Sequence, residues 1–256
     1  MSQPVAPLGR RVLAEFVGTG LLTGTVVGSG VMATRMSPDD VGLQLLENTL
    51  ATVFALGVLI VVLGPVSGGH FNPIVSVADW WLGRRGRGGL RPWEVAAYAA
   101  GQVGGAAGGT ILANLMYALP AVAWSATSRS APQLWLGEIV ATGGLVLVVF
   151  ALARTGRQAV APVAVAAWIG AAYWFTSSTS FANPAVTIGR AFSDTFAGIA
   201  PGSVPGFIVA QVLGAIAGAA LLAMLYPRAG RAASDAVIPQ PETAADEVAA
   251  PAGRPT

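Results

Sequence analysis

Long apolar stretches alternate with short polar segments along most of this chain. Six of the stretches are long enough to cross the bilayer, since a helix of about 20 residues spans about 30 Å of hydrocarbon. The pattern therefore predicts an all-α membrane protein. Its six full spans are expected at 11–33, 46–66, 93–117, 134–153, 160–177 and 205–226.

Two shorter segments differ from these spans, and each begins with Asn-Pro. Asn is a favoured helix N-cap, and Pro fits the first helical position. Asn72-Pro73 and Asn183-Pro184 therefore predict half-helices at about 73–82 and 184–195. Backbone that starts a helix inside a membrane must be buried by protein or line a water-filled cavity. Two such elements, with their positive dipole ends at mid-bilayer, indicate a pore.

The two halves of the chain share a pattern of landmarks. Glu15 in the first span matches Glu138 in the fourth, and Gln102 in the third matches Gln211 in the sixth. Each half also contains one Asn-Pro segment and three spans. Because three is odd, the second half enters the membrane from the opposite side, which predicts an inverted repeat. The repeats are expected at about 10–117 and 118–226, within one channel domain covering 1–226.

Composition supports a membrane protein and excludes several other classes. The chain is 54% apolar and 10% charged, whereas soluble domains carry about 25% charged residues. It has no Cys and one His, so no metal site or cofactor is expected. No nucleophile–base pair stands out in the spans, which argues against an enzyme. Residues 227–256, rich in Pro, Ala and charge, are predicted to be a disordered cytoplasmic tail.

The basic residues indicate an orientation rather than an affinity for nucleic acid. All 14 are Arg, and most lie between the predicted spans. With the N-terminus inside, eleven fall in cytoplasmic segments and three, Arg35, Arg129 and Arg190, fall outside. The positive-inside rule therefore favours a multi-pass protein of the inner (plasma) membrane with both termini in the cytoplasm.

Residues 10–226 resemble the aquaporin family of major intrinsic proteins, in particular a bacterial aquaglyceroporin-like branch. Three features carry the resemblance: Ser67-Gly68-Gly69-His70-Phe71-Asn72-Pro73, the second Asn183-Pro184-Ala185, and a Glu in spans one and four. The resemblance implies an hourglass of six helices and two half-helices, assembled as a homotetramer. It also implies that Glu15 and Glu138 hold the two Asn-Pro loops by accepting backbone N–H groups, with Pro73 and Pro184 in structural roles.

The resemblance also assigns pore-lining residues. Asn72 and Asn183 are expected to donate side-chain N–H groups to passing oxygen atoms. Val186 stands where water-selective and glycerol-conducting relatives carry Arg after the second Asn-Pro-Ala. Aligning spans two and five without gaps adds Thr52 and Ala171, and the loop adds Ser180, to an outer filter that should be wide and weakly charged.

Two polar residues near the predicted pore allow alternatives. Arg190 lies one helical turn beyond Val186, and it either reaches the outer mouth, pairs with Asp194 or contacts lipid headgroups. His70 either narrows or gates the cytoplasmic vestibule or is a satisfied loop histidine.

These features predict a passive channel for water and small neutral solutes. Candidate solutes are glycerol-like polyols, urea and metalloid hydroxides such as arsenite. The alternative is a proton-coupled secondary transporter that uses Glu15 or Glu138. The implied partners are the solutes, the lipid bilayer and further copies of the chain.

Overall fold

The computed structural model describes residues 6–84 and 89–227, and this part of the chain is all-helical. The six predicted spans and two half-helices are confirmed as an all-α membrane fold. The predicted tail lies outside the described residues except for Pro227. The helices are α1 (Leu8–Met36), α2 (Val41–Ser67), α3 (Pro73–Gly83), α4 (Pro92–Met116), α5 (Pro132–Arg154), α6 (Ala161–Phe175), α7 (Pro184–Gly189) and α8 (Val204–Leu225).

The second half-helix is shorter than the sequence predicted. α7 ends at Gly189 and tightens into a single 3-10 turn at Arg190–Phe192, so the predicted end at 195 is wrong. Carbonyls that a longer helix would use internally bind the loop before α5 instead. Ala123 N–H donates to the Phe192 carbonyl at 3.0 Å, and Ser125 N–H donates to the Ala191 carbonyl at 3.0 Å.

Most of the long helices have the length and hydropathy of membrane spans. Those that are long and apolar enough to cross a membrane are α1, α2, α5, and the helical segments Gln158–Phe175 and Pro201–Leu225. α4 has 25 residues but is less apolar, because it carries five glycines and several polar side chains. It is shielded by packing closely along α1.

Glycines set the closest helix contacts, and they do so in both halves. A Cβ on Gly109 of α4 would lie 1.9 Å from the Gly20 carbonyl oxygen of α1. In the second half, a Cβ on Gly218 of α8 would lie 2.3 Å from the Gly143 carbonyl oxygen of α5. The backbones of both helix pairs therefore touch directly, which requires residues without side chains at the crossing.

The chain path gives the bundle two faces. α1 starts and α8 ends on one face, here called the terminal face, and the connection between α1 and α2 lies on the opposite, far face. α3 begins in the middle of the bundle and returns to the terminal face. α7 also begins in the middle but runs to the far face. The two half-helices thus approach each other from opposite sides.

Candidate pore

The two Asn-Pro loops bind each other at the centre of the bundle. Asn72 Nδ2 donates to the Ala182 carbonyl at 2.7 Å, and Asn183 Nδ2 donates to the Phe71 carbonyl at 2.7 Å. Each Asn side-chain oxygen also caps its own helix, accepting from Ile74 N–H and Ala185 N–H respectively. We call this reciprocal pair of hydrogen bonds the Asn clasp. It uses one N–H of each side-chain amide, and the second N–H of each amide has no partner in the described residues.

A buried carboxylate holds the first loop in place. Glu15 Oε1 accepts from the Ser67 hydroxyl at 2.6 Å and from His70 N–H at 3.0 Å. Its Oε2 accepts from Phe71 N–H at 2.6 Å and from Gln102 Nε2 at 2.7 Å. Four donors around a fully buried carboxylate compensate its loss of water.

Glu138 does the same for the second loop. Its Oε1 accepts from Phe181 N–H at 2.8 Å, and its Oε2 accepts from Ala182 N–H at 2.8 Å and from Gln211 Nε2 at 2.7 Å. Both Gln side chains also reach the half-helices: Gln102 donates to Ser76 at 3.1 Å, and Gln211 donates to Thr187 at 2.9 Å.

A cavity of about 650 Å³, counting its open parts, surrounds the Asn clasp. The loops contribute polar groups to it, including Asn72, Asn183, His70 and Ser180. Neither Glu15 nor Glu138 borders it. Helices α1, α2, α5 and α6 contribute aliphatic side chains, among them Leu22, Leu56, Ile60, Leu145, Val149, Val165 and Ile169. The cavity therefore combines polar loop groups with apolar helix faces.

The far mouth of the cavity differs from the predicted filter at one position. Thr52, Ser180 and Val186 border the cavity, but Ala171 does not and is exposed on the outer side of α6. The α6 residue at the mouth is Tyr173, whose hydroxyl donates to Thr52 Oγ1 at 3.4 Å. The assignment of Ala171 is wrong because Ile169 and Tyr173, two residues to either side of it, face the cavity, and a step of two residues turns a helix by more than half a turn.

Arg190 also borders the cavity. Its side chain is 3% exposed, its Nε donates to the Ala197 carbonyl, and its guanidinium carbon lies 3.4 Å from the centre of the Phe181 ring. The alternative pairing with Asp194 does not occur in the described residues. Asp194 instead accepts from Ala126 N–H at 3.0 Å. The mouth is thus narrower and more charged than the sequence predicted.

His70 borders the cavity while its polar atoms are held by the protein. Its Nδ1 lies 3.0 Å from the Ser76 hydroxyl, and its ring contacts Tyr98 edge-on at 5.5 Å. Tyr98 in turn donates to the Ser67 carbonyl at 2.8 Å. His70 is therefore a satisfied histidine that also borders the cavity, and a role in narrowing or gating the vestibule stays a prediction.

Comparisons with known proteins assign this architecture. The family model described as major intrinsic protein matches residues 4–182 and 173–250. The chain belongs to the major intrinsic protein family. It is 50% identical over 218 residues to the aquaglyceroporin AqpS of Rhizobium meliloti, covering 85% of this chain and 91% of that protein. It is 29% identical to the aquaporin AqpM of Methanothermobacter marburgensis, covering 86% and 96% of the two chains.

A solved structure supports the fold of this major intrinsic protein. The X-ray structure of the aquaglyceroporin from Plasmodium falciparum matches with a TM-score of 0.62 at 20% identity, over 87% of this chain and 96% of that one. Together these relatives confirm the predicted aquaporin resemblance. Family membership also confirms that the protein is a membrane channel rather than an enzyme.

The sequence did not place two aromatic residues that border the cavity: Tyr173 could equally have reached the outer pore or a subunit interface, and Phe181 carried no assignment. Tyr173 follows Val165 and Ile169 at steps of four, so a helical period counted from those residues would have placed it in the lining. Phe181 gave no comparable signal, because its contact with Arg190 joins a loop to a helix end in three dimensions.

Proposed function

We propose that this protein is a passive channel for water and small uncharged polar solutes, with glycerol-like polyols as the first candidates. The observation that carries the proposal is the Asn clasp inside a cavity with aliphatic walls. The second N–H of each amide can donate to a passing oxygen. A solute that enters loses water, and these donors replace part of what it loses.

The chemistry of the cavity favours polyols over purely apolar or charged molecules. A glycerol-like molecule has hydroxyl groups that match the polar loops and C–H groups that match Leu, Val and Ile side chains. The relative at 50% identity is named an aquaglyceroporin, which supports the same class. Urea and neutral metalloid hydroxides such as arsenite share the small size and hydrogen-bonding capacity, and they belong to the proposed set. Water is small enough to pass with them.

The positive ends of α3 and α7 should exclude cations and protons. Both helices begin at the Asn clasp, so their N-terminal dipole ends face the same point of the cavity. The resulting field opposes cations and leaves neutral molecules unaffected.

We further propose that the two repeats, 10–117 and 118–226, form one channel in the cytoplasmic membrane with both termini inside, and that the channel assembles as a homotetramer. The distribution of Arg supports the orientation. Large apolar side chains on the outside of the bundle, including Phe54, Val58, Val62 and Trp174, provide surfaces for lipid or for neighbouring copies.

The transporter alternative receives less support from the geometry. A proton carrier must exchange protons with the transport path. Glu15 and Glu138 are completely buried, are held by backbone and side-chain donors, and do not border the cavity. We therefore assign both residues to holding the loops.

Solute flux into proteoliposomes tests the proposal. In a glycerol gradient, vesicles containing the protein should reswell faster than empty vesicles, with a weak temperature dependence and no effect of a proton gradient. Urea and arsenite, measured in parallel, rank the solutes. Reswelling at the rate of empty vesicles would refute the solute channel, and uptake that requires a proton gradient would favour the transporter.

A further inference from the structure

Two guanidinium groups meet around one aromatic ring at the far mouth. The guanidinium carbon of Arg190 lies 3.4 Å from the centre of the Phe181 ring, and that of Arg129 lies 5.1 Å from it. Phe181 itself borders the cavity. The two positive charges therefore lie close together, at a place where a membrane protein would normally pair them with acids.

Arg190 keeps most of its hydrogen-bonding capacity unused. Its Nε donates to the Ala197 carbonyl, whereas its two terminal nitrogens have no hydrogen-bond partner in the described part of the chain. The side chain is 97% buried and borders the cavity. The fork of a guanidinium matches two oxygen atoms of a carboxylate or oxyanion. Its terminal nitrogens are thus available to a ligand in the mouth.

Arg129 is fixed beside Arg190 by neighbouring carbonyls of the same segment. Its Nε donates to the Gly198 carbonyl at 2.9 Å and its Nη2 to the Phe196 carbonyl at 3.5 Å. Its backbone N–H donates to the Ser203 hydroxyl at 2.9 Å. The loop that carries Arg129 is thus pinned to the far mouth, and the second charge has a defined position.

The nearby carboxylates do not neutralise this pair. Asp194 binds the backbone N–H of Ala126. Glu138 interacts with both guanidiniums through its charge, but its oxygens are bound to the Phe181 and Ala182 backbone and to Gln211. Two cations therefore face one carboxylate. The Ser180 hydroxyl, which is buried without a partner in the described residues and borders the same cavity, adds a further donor.

We propose that the far mouth is a binding site for a small oxyanion, either a carboxylate or a tetrahedral oxyanion, with Arg190 as the direct ligand and Arg129 as the supporting charge. Because the site lies in the proposed transport path, a bound anion blocks the passage of neutral solutes. The blocking effect rests on the proposed channel function, whereas binding itself does not.

The experiment compares glycerol flux in proteoliposomes equilibrated on both sides with sodium phosphate, sodium malonate or sodium chloride at equal ionic strength. Phosphate represents tetrahedral oxyanions, malonate represents carboxylates, and chloride controls for charge alone. Arg129→Gln is the test variant. Arg35→Gln is the matched control, since Arg35 also faces an aromatic ring, that of Tyr117 at 5.0 Å, but is exposed and does not border the cavity.

We expect phosphate, malonate or both to slow glycerol flux saturably relative to chloride. Arg129→Gln should raise the half-inhibiting concentration by about tenfold, since it removes one of two nearby charges, while Arg35→Gln should leave it unchanged. Equal inhibition by all three salts, or equal shifts in the two variants, would overturn the proposal. Calorimetric titration of the wild-type protein in detergent with the same anions tests binding without flux, and absence of heat with both oxyanions would also overturn it. Flux in chloride alone tests the channel function separately.

Discussion

The two re-entrant segments, residues 67–83 and 178–192, have the same scaffold but different contents. Each loop is held by one buried Glu, one Gln and one N-capping Asn. Phe71 and Ala182 occupy matching positions with φ of 48° and 46°. The groups that border the cavity differ between the two segments. His70 borders it on the terminal side, whereas Phe181 and Arg190 border it on the far side. The shared parts hold the loops, and the differing parts set the character of each mouth.

The half-helices also differ in length and in the charge at one matching position. α3 has 11 residues and α7 has 6. Asp79 in α3 accepts from Leu90 N–H at 2.7 Å, whereas Arg190, at the same offset after its Asn, borders the cavity. The acid thus organises a loop, whereas the base borders the cavity. The repeat therefore conserves the centre of the pore while allowing its two ends to specialise.

Removing either central carboxylate should cause the largest effect. Glu15→Gln and Glu138→Gln each replace an acceptor by an amide that cannot accept all the N–H donors present. Since each buried unsatisfied group costs about 1–3 kcal/mol, we expect a loss of several kcal/mol and little folded protein. The measurement is thermal unfolding in detergent. Asp39→Asn, at an exposed position, is the control and should unfold like the wild type. If only one of the two variants is destabilised, the scaffold is not equivalent in the two halves.

Adding a further positive charge at the far mouth by substitution should reduce glycerol flux more than water flux. In Val186→Arg, a long side chain would enter the cavity beside Arg190 and narrow the path. We expect glycerol permeability to fall about tenfold, equivalent to about 1.4 kcal/mol, with a smaller loss for water. Stopped-flow light scattering measures both rates. An unchanged ratio of glycerol to water permeability would show that Val186 does not limit solute size. Val163→Arg, at an exposed position of α6, controls for an added charge.

Exchanging the residues that adopt positive φ should change stability differently in the two loops. Gly69 has φ of 64° and its counterpart Ser180 has φ of 50°. A Cβ on Gly69 would lie 3.3 Å from Gly64 Cα, so Gly69→Ser should destabilise the protein by about 1 kcal/mol. Ser180→Gly relieves the same conformational cost and should leave stability equal or slightly higher. Unfolding temperatures measured side by side test this, and a loss of stability in both variants would contradict it.

The smallest effect is expected at His70. His70→Phe introduces the residue type found at position 181 and removes one hydrogen bond to Ser76. Because Ser76 keeps Gln102 as a partner, we expect a loss of about 0.5–1.5 kcal/mol with glycerol flux largely retained. A strong change in flux would show that His70 controls passage through the vestibule on the terminal side. The backbone contact of the adjacent Phe71 to Glu15 is unaffected by this substitution, so the loop stays anchored in the variant.

Much of the scaffold could be predicted because its signals are local or periodic. Apolar runs of sufficient length predicted the spans, and Asn-Pro predicted the start of each half-helix, since capping and the Pro ring act on adjacent residues. The matching Glu and Gln positions indicated the repeat. The end of α7 could not be predicted in this way, because its carbonyls are taken by residues 123 and 125, which are distant in sequence.

The sequence by itself determined the class of protein, the number of spans and the position of the two Asn residues. Tertiary structure decided which side chains border the cavity. Tyr173 borders the cavity where Ala171 was predicted, because a step of two residues turns a helix to another face. Arg190 borders the cavity because Phe181 and the Ala197 carbonyl hold it there. Hydrophobic length and capping depend on neighbours along the chain, whereas the lining of a pore depends on contacts between segments that only folding brings together.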